Sequence, residues 1–157
     1  EDCRRQRQMC IRDRLNNMSK NFNKEGKIEK GWGYEVVWAS NEHYCGKFLV
    51  FTKKDAKFSM HFHKNKDETW FVNDGEFKLR YIDTKTATLY EKPLKTGATW
   101  HNPPLMPHQL ICTTDTGSVT EVSTMDDPDD NYRVIPGDGQ KTPVSPADQQ
   151  SLAKKLL

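Results

Sequence analysis

The sequence has little of what marks a membrane protein or a disulfide-rich one. No run of consecutive apolar residues exceeds four, whereas a membrane-spanning helix needs about 20. No hydrophobic signal segment follows the N-terminus. Four Cys, eight Pro and nine Gly among 157 residues are ordinary levels, which excludes collagen-like, low-complexity and disulfide-dense chains. We therefore expect a soluble cytoplasmic protein that does not enter a membrane.

Positive charge is also scarce outside the N-terminus. The first 17 residues hold five Arg against three acidic residues, which accounts for the whole net charge of +2. The neutral remainder lacks the basic surface that nucleic-acid binding needs, so we expect no nucleic-acid partner. Residues 1–17 have neither helical nor strand periodicity and are predicted to be a disordered or artefactual tail. Cys45 and Cys112 have no metal or redox spacing, and we expect both to be reduced thiols.

Short apolar runs separated by turn residues dominate the chain from residue 30 to residue 134, and this pattern is typical of an all-β sandwich or barrel. Strands are predicted at residues 34–39, 47–52, 57–63, 69–72, 77–81, 88–91, 99–101, 108–113 and 119–124. Asp74-Gly75 predicts a tight hairpin between the fourth and fifth of them. Residues 125–146 are predicted to form a loop that wraps the β body, and a short C-terminal helix is predicted at residues 146–156.

The strongest pattern in the sequence is a set of metal-binding side chains at short spacings. His61 and His63 are two residues apart, Glu68 follows after a polar loop, and His108 opens a later predicted strand. Residues two apart in a strand point to one face, so both imidazoles can reach one ion. We predict that these four side chains hold one divalent transition metal ion per chain, for which Mn, Fe, Zn, Ni and Cu are all suitable. The simpler alternative is a solvated histidine pair on a strand.

The two motifs resemble those of the cupin superfamily, Gly-x5-His-x-His-x3-4-Glu-x6-Gly and Gly-x5-Pro-x-Gly-x2-His-x3-Asn. The matching residues are His61, His63, Glu68, Gly75, Gly97, Pro103 and His108. Asp55 and Leu105 stand where the family has glycine, and Cys112 stands where it has asparagine. The resemblance implies a jelly-roll β-barrel with the metal inside. It covers roughly residues 30–135, and we predict a cupin domain at residues 18–135 with a C-terminal extension at residues 136–157.

Within the cupins, four segments are similar to the mannose-6-phosphate isomerase type of domain. They are residues 30–35, 68–75, 120–123 and 129–134. Thr69 replaces a histidine of that family, and residues 136–140 replace its Asp-x-Tyr-Gly-Arg ending. This likeness implies a metal-dependent isomerase or epimerase that acts on a sugar or sugar phosphate.

Six further side chains are predicted to serve this chemistry. Glu121 interrupts an apolar strand and is a candidate catalytic base, although it can equally face solvent or pair with an arginine. His101 is a candidate for proton transfer because it lies seven residues before His108. Trp70 shares strand parity with Glu68 and is expected to line the substrate cavity. Arg133, Lys64 and Lys66 are available donors to a phosphate or to sugar hydroxyls, although the two lysines can also be part of a solvated loop.

Two other functions fit the same residues. One is an oxygen-dependent Fe or Cu cupin with dioxygenase-like or oxidative activity, and the other is a non-catalytic cupin that binds a sugar. Phe58, Met60 and Phe62 alternate with the two histidines and are expected to face outwards. Such an apolar outer face requires a cover, and we predict that a homodimer supplies it.

Overall fold

The computed structural model describes residues 26–140, in which eleven strands form two antiparallel sheets. The six-stranded sheet has the order β1 (Lys27–Lys30), β2 (Gly33–Ser40), β3 (Tyr44–Phe51), β10 (Gly117–Thr124), β5 (Glu68–Asp74) and β8 (Thr99–Asn102). The five-stranded sheet has the order β11 (Tyr132–Ile135), β4 (Met60–Phe62), β9 (His108–Cys112), β6 (Glu76–Asp83) and β7 (Thr88–Lys95). The all-β jelly-roll prediction is confirmed. The predicted tail and C-terminal helix lie outside the described residues, which contain no helix long and apolar enough to cross a membrane.

The core forms because apolar side chains alternate along the strands and meet between the two sheets. In β6, Phe77 and Leu79 are buried while Lys78 between them is exposed, and β10 buries Val119. Aromatic rings pack edge to face in this space, as Phe51 and Phe77 do at a centroid distance of 5.0 Å. The polar site occupies the part of the same inter-sheet space next to β4.

The Asp74-Gly75 turn does not close a hairpin, so that prediction is wrong. β5 pairs with β10 and β8 in one sheet, whereas β6 pairs with β7 and β9 in the other. The chain therefore changes sheets at this turn. Gly75 has φ +81°, and a Cβ there would approach the Thr116 carbonyl oxygen to 2.7 Å, so the corner requires glycine.

Two positions where cupins have glycine keep a left-handed backbone in this chain. Asp55 has φ +63° and Leu105 has φ +67°. A side chain in this region costs roughly 1–3 kcal/mol, and the cost is lower for aspartate than for leucine. Leu105 is held there by its backbone N–H, which donates to the carbonyl oxygen of His63 at 2.7 Å. The turn before His108 is thus tied directly to the first histidine motif.

The chain itself covers the side chains that were expected to need a partner. Phe58 precedes β4 and packs into the core against three aromatic rings, so the expectation that it faces outwards is wrong. Met60 is buried, and Phe62 stacks on Tyr132 at 5.2 Å. Tyr132 belongs to β11, which pairs with β4 in a region where the sequence predicts only a loop. These residues do not call for a second subunit, and the homodimer stays a prediction.

Cys45 and Cys112 are buried free thiols, as expected for reduced cysteines. Burial raises the pKa of the Cys45 thiol from 9.0 to about 11. We expect Cys45 in the native protein to react with iodoacetamide at pH 8 about 100-fold more slowly than after unfolding, because thiolate is the reactive form. Peptide mass spectrometry of protein labelled with and without urea measures both rates. Equal labelling of Cys45 in the two states would contradict this placement.

Candidate metal centre

Three histidines converge at the end of β4. His61 lies on β4 and pairs with His108, the first residue of β9 on the neighbouring strand. His63 follows β4 by one residue and retains the strand parity of His61. One ring nitrogen from each of the three lies within 4.8 Å of the other two. Strand alternation and cross-strand register therefore bring together the imidazoles that the spacing predicts.

Backbone carbonyls fix the tautomer of all three rings. Nδ1 of His61 donates to the Ser59 carbonyl oxygen at 2.8 Å, and Nδ1 of His108 donates to that of Met106 at 2.8 Å. Nδ1 of His63 donates to the carbonyl oxygen of Asp130. A carbonyl oxygen only accepts, so each Nδ1 carries the proton and each Nε2 presents a lone pair.

The buried Nε2 atoms of His63 and His108 have no hydrogen-bond partner among the described residues. An orphaned buried nitrogen with a free lone pair is costly unless it binds something. Burial lowers the pKa of His63, and burial together with His108 lowers the pKa of His61, so both rings are kept neutral. Three imidazoles that each offer one ring nitrogen at the same place are a donor set that fits a divalent transition metal ion.

Glu68 lies at the side of this cluster, at the start of β5. Its Oε1 is 3.0 Å from Nε2 of His108, and its Oε2 is 3.7 Å from Nε2 of His63. Asn102 donates to Oε1 at 3.2 Å. Burial alone would raise the pKa of Glu68, but His108 and Lys66 hold it well below its usual range. Glu68 is therefore an anion beside two of the three imidazoles, close enough to join them around an ion.

A chain of buried charges continues from Glu68 along the cavity wall. The Lys66 ammonium lies 2.9 Å from Glu68, 2.7 Å from Glu121 and 3.2 Å from Asp126. Lys47 in turn donates to Asp126 at 2.6 Å. Burial alone would lower the pKa of Lys66, but the three carboxylates raise it above its usual value. Lys66 thus stays a cation, and Glu121 is neither solvent-facing nor paired with an arginine.

The remaining cavity residues supply aromatic and polar contacts. Trp70 is buried on β5, and its Nε1 donates to Oε2 of Glu121 at 3.4 Å. Arg133 on β11 pairs with His61 through the backbone, and its exposed side chain lines the cavity mouth. Asn131 lines the same mouth, and its buried Oδ1 has no hydrogen-bond partner among residues 26–140.

Two predicted site residues lie outside the cavity. His101 pairs with Thr69 on the outer face, and its Nε2 is 2.9 Å from an oxygen of Asp67. Its side chain is 56% exposed, so strand alternation turns it away from the imidazoles. Lys64 is also exposed and does not line the cavity. We therefore remove His101 and Lys64 from the candidate site and put Lys66 in the place of Lys64.

Asp126 and Asn131 line the cavity and were not predicted from the sequence, whereas Lys66 was predicted as a donor together with Lys64. Lys66 shares a polar loop with the exposed Lys64, and local spacing does not distinguish the two. The sequence could have indicated a buried lysine through Glu121, because a buried carboxylate without a cationic partner is costly.

Comparisons with known proteins agree with this fold. Residues 48–123 match the family model of the cupin domain. No protein of curated function matches the sequence. The capsular polysaccharide assembling protein CapF from Staphylococcus aureus superposes with a TM-score of 0.61 at 18% identity, over 69% of this chain and 32% of its own.

Two further solved structures show the same arrangement. Oxalate decarboxylase from Bacillus subtilis has a TM-score of 0.62 at 18% identity, over 72% of this chain and 31% of its own. KdgF from a Halomonas species has a TM-score of 0.53 at 16% identity, over 61% of this chain and 81% of its own. The chain spans about a third of CapF and of the decarboxylase, so these similarities establish the fold and leave activity to the site itself.

Proposed function

We propose that this chain, whose residues 48–123 match the family model of the cupin domain, is a metal-dependent isomerase or epimerase of a sugar or sugar phosphate, with its centre at His61, His63 and His108. One observation carries the proposal. The imidazoles of His61, His63 and His108 each offer a ring nitrogen at one place, and two of them, His61 and His63, line a cavity that also holds the buried side chain of Glu121. Metal ligands and a separate base in one cavity are what proton transfer next to a carbonyl group requires.

The metal role falls to the three histidines, with Glu68 beside them. A divalent ion, when bound, supplies Lewis-acid stabilisation of negative charge on a substrate oxygen. The chain prepares for it by holding the imidazoles of His61 and His63 neutral and Glu68 ionised. Neutral nitrogen donors and an anionic oxygen donor are the states that bind a metal, so little proton release has to accompany binding near neutral pH.

The base role falls to Glu121. An aldose and a ketose differ in the positions of two protons, one on adjacent carbons and one on the oxygens that those carbons carry. A single carboxylate can remove the carbon-bound proton from one carbon and return it to the other, while the hydroxyl proton moves from one oxygen to the other. Lys66 donates to Oε1 of Glu121 at 2.7 Å, while Oε2 has only the longer contact of 3.4 Å from Trp70. Oε2 is therefore the oxygen that is available to accept a substrate proton.

The charge of the cavity favours an anionic substrate. Its lining has four basic and four acidic side chains: Lys30, Lys47, Lys66, Arg133, Glu35, Glu68, Glu121 and Asp126. A divalent cation added to this balanced set leaves a net positive cavity, which attracts an anion such as a phosphate ester. Arg133 forms no ion pair with another described residue, so its guanidinium is available to a phosphate at the mouth.

The first test joins metal analysis to an activity assay. Protein purified without a metal-affinity tag is expected to contain close to one transition metal ion per chain. With that metal, NMR is expected to show interconversion of a hexose or pentose phosphate under anaerobic conditions, because proton transfer does not use oxygen. Turnover that depends on oxygen and on Fe or Cu would instead favour oxidative chemistry. Absence of metal would overturn the proposal and leave a sugar-binding module.

Glu121→Gln separates catalysis from binding. The amide keeps the size and the Lys66 contact but cannot act as a base, so kcat is expected to fall at least about 100-fold. Metal content is expected to be unchanged, because Glu121 is not a ligand. The control is Glu91→Gln, which makes the same change at an exposed side chain on β7. Wild-type turnover in Glu121→Gln would remove Glu121 from the mechanism. If the wild-type protein itself shows no turnover and Glu121→Gln binds sugar as tightly as the wild type, the non-catalytic alternative is supported.

A further inference from the structure

Asp130 makes four hydrogen bonds to one short segment of the first histidine motif. Its Oδ1 accepts the backbone N–H of Lys64 at 2.7 Å. Its Oδ2 accepts those of Asn65 at 2.9 Å and Lys66 at 3.0 Å. Its own carbonyl oxygen accepts Nδ1–H of His63. Four consecutive residues, 63–66, are thus fixed by one aspartate that lies 64 or more positions along the chain.

Each of these contacts bears on the metal site. The carbonyl contact sets the tautomer of His63, and through it the direction in which the free Nε2 points. The side-chain contacts fix the backbone of the loop that joins His63 to Glu68. The same loop places Lys66, which bonds both Glu68 and Glu121. A shift of Asp130 would therefore move His63, Glu68 and Lys66 together.

A carboxylate is the side chain that suits this position. Two ionised oxygens can accept three N–H donors, and bonds to an ionised acceptor are stronger than neutral ones. An asparagine would turn its NH2 group towards at least one of the three donors. Asp130 is 5% exposed and is held by its own N–H, which donates to the Asp127 carbonyl oxygen at 3.0 Å. It is therefore a rigid support for the loop.

We propose that Asp130 is a positioning residue that sets the metal affinity of the site, although it contacts no metal itself. The proposal rests on the proposed metal role of the three histidines. It predicts that removing one oxygen of Asp130 weakens metal binding while leaving all candidate ligands in place.

Asp130→Asn is the test variant, and Asp83→Asn is its matched control. Asp83 also accepts two backbone N–H groups, those of Lys85 and Thr86, but at the β6–β7 turn away from the cavity. Competition with a chromophoric chelator measures Co²⁺ and Zn²⁺ affinity. Asp130→Asn keeps the backbone carbonyl that accepts Nδ1–H of His63 but weakens the side-chain bonds that fix the backbone of residues 64–66. We therefore expect a loss of about 10-fold in affinity, the lower end of the effect of disturbing groups that orient a metal ligand. Asp83→Asn is expected to bind like the wild type.

Hydrogen exchange supplies a second readout that does not use metal. In the metal-free protein, the amides of residues 64–66 are expected to exchange faster in Asp130→Asn than in the wild type, with core strands unchanged. If Asp130→Asn binds metal as tightly as the wild type, or if Asp83→Asn loses as much affinity as Asp130→Asn, the positioning role is overturned and the metal site itself is not. A wild-type protein that binds neither ion would overturn this proposal together with the metal site. If Asp130→Asn does not fold, Asp130→Glu replaces it, with an expected loss of at least about threefold and wild-type affinity as the contradicting result.

Discussion

Replacing His108 with alanine is expected to abolish stoichiometric metal binding and to leave both sheets folded. His108 is 1% exposed, and its ring supplies one of three converging nitrogens. Loss of a ligand should cost more than loss of a ligand's hydrogen-bond partner, so we expect affinity to fall by more than about 100-fold. The space left by the ring costs about 1–3 kcal/mol of stability, which a folded domain tolerates. Elemental analysis and far-UV circular dichroism measure the two outcomes.

The matched control is His101→Ala. It removes an imidazole that lies on the outer face and is 56% exposed, so metal content and fold should match the wild type. His61→Ala tests the second position of the cluster and should behave like His108→Ala. One metal ion per chain in both His61→Ala and His108→Ala would show that the site lies elsewhere.

Replacing Lys66 with methionine is expected to lower the free energy of unfolding by about 3–5 kcal/mol, because it leaves buried carboxylates without their cation. Lys66 is 5% exposed and contacts Glu68, Glu121 and Asp126. Urea unfolding of the metal-free proteins measures the change, since bound metal would add its own stabilisation. Lys64→Met makes the same substitution two residues earlier at an exposed position and should change stability by less than about 0.5 kcal/mol. Equal effects of the two would contradict the buried placement of Lys66.

The pH dependence of this charge network has a definite sign. Burial alone would raise the pKa of Asp126, but Lys47 and Lys66 hold it below its usual 3.8. Because the pKa of Asp126 is lower in the folded state than in the unfolded state, its interactions with Lys47 and Lys66 stabilise the fold above about pH 4. That stabilisation is lost as pH falls through the folded-state pKa of Asp126. Acid unfolding should therefore begin at a lower pH in the wild type than in Lys66→Met.

Local pattern was sufficient to predict most strands and the cluster of three histidines. Alternation along a strand places His61 and Trp70 on inner faces, and these positions depend on neighbouring residues alone. The Asp74-Gly75 turn shows the limit of local pattern, because turn chemistry indicates that a chain reverses but does not specify the sheet that the next strand joins. β11 was missed for a similar reason, since its pairing with β4 is a contact between distant residues.

The buried charges were less predictable than the histidines. Lys66 is placed by Glu121, 55 positions away, and its burial is a property of that pair. His101 was misplaced because distance along the chain from His108 was used where cross-strand register was needed. The register opposes Asn102 to Glu68, which turns His101 to the other face.

The positive φ angles of Asp55 and Leu105 show that a turn can keep its backbone conformation when the glycine of its sequence motif is absent. A glycine in a motif records a demand for a backbone angle, and at Asp55 and Leu105 the angle persists with a side chain attached. Such a position can drift in evolution for a modest loss of stability, part of which is recovered because a side chain restricts the unfolded chain more than glycine does. The turn before His108 then keeps its backbone conformation while its amino-acid sequence changes. Distant relatives of this chain are therefore better identified by the backbone angles of the loops next to the histidines than by the glycines of the sequence motifs.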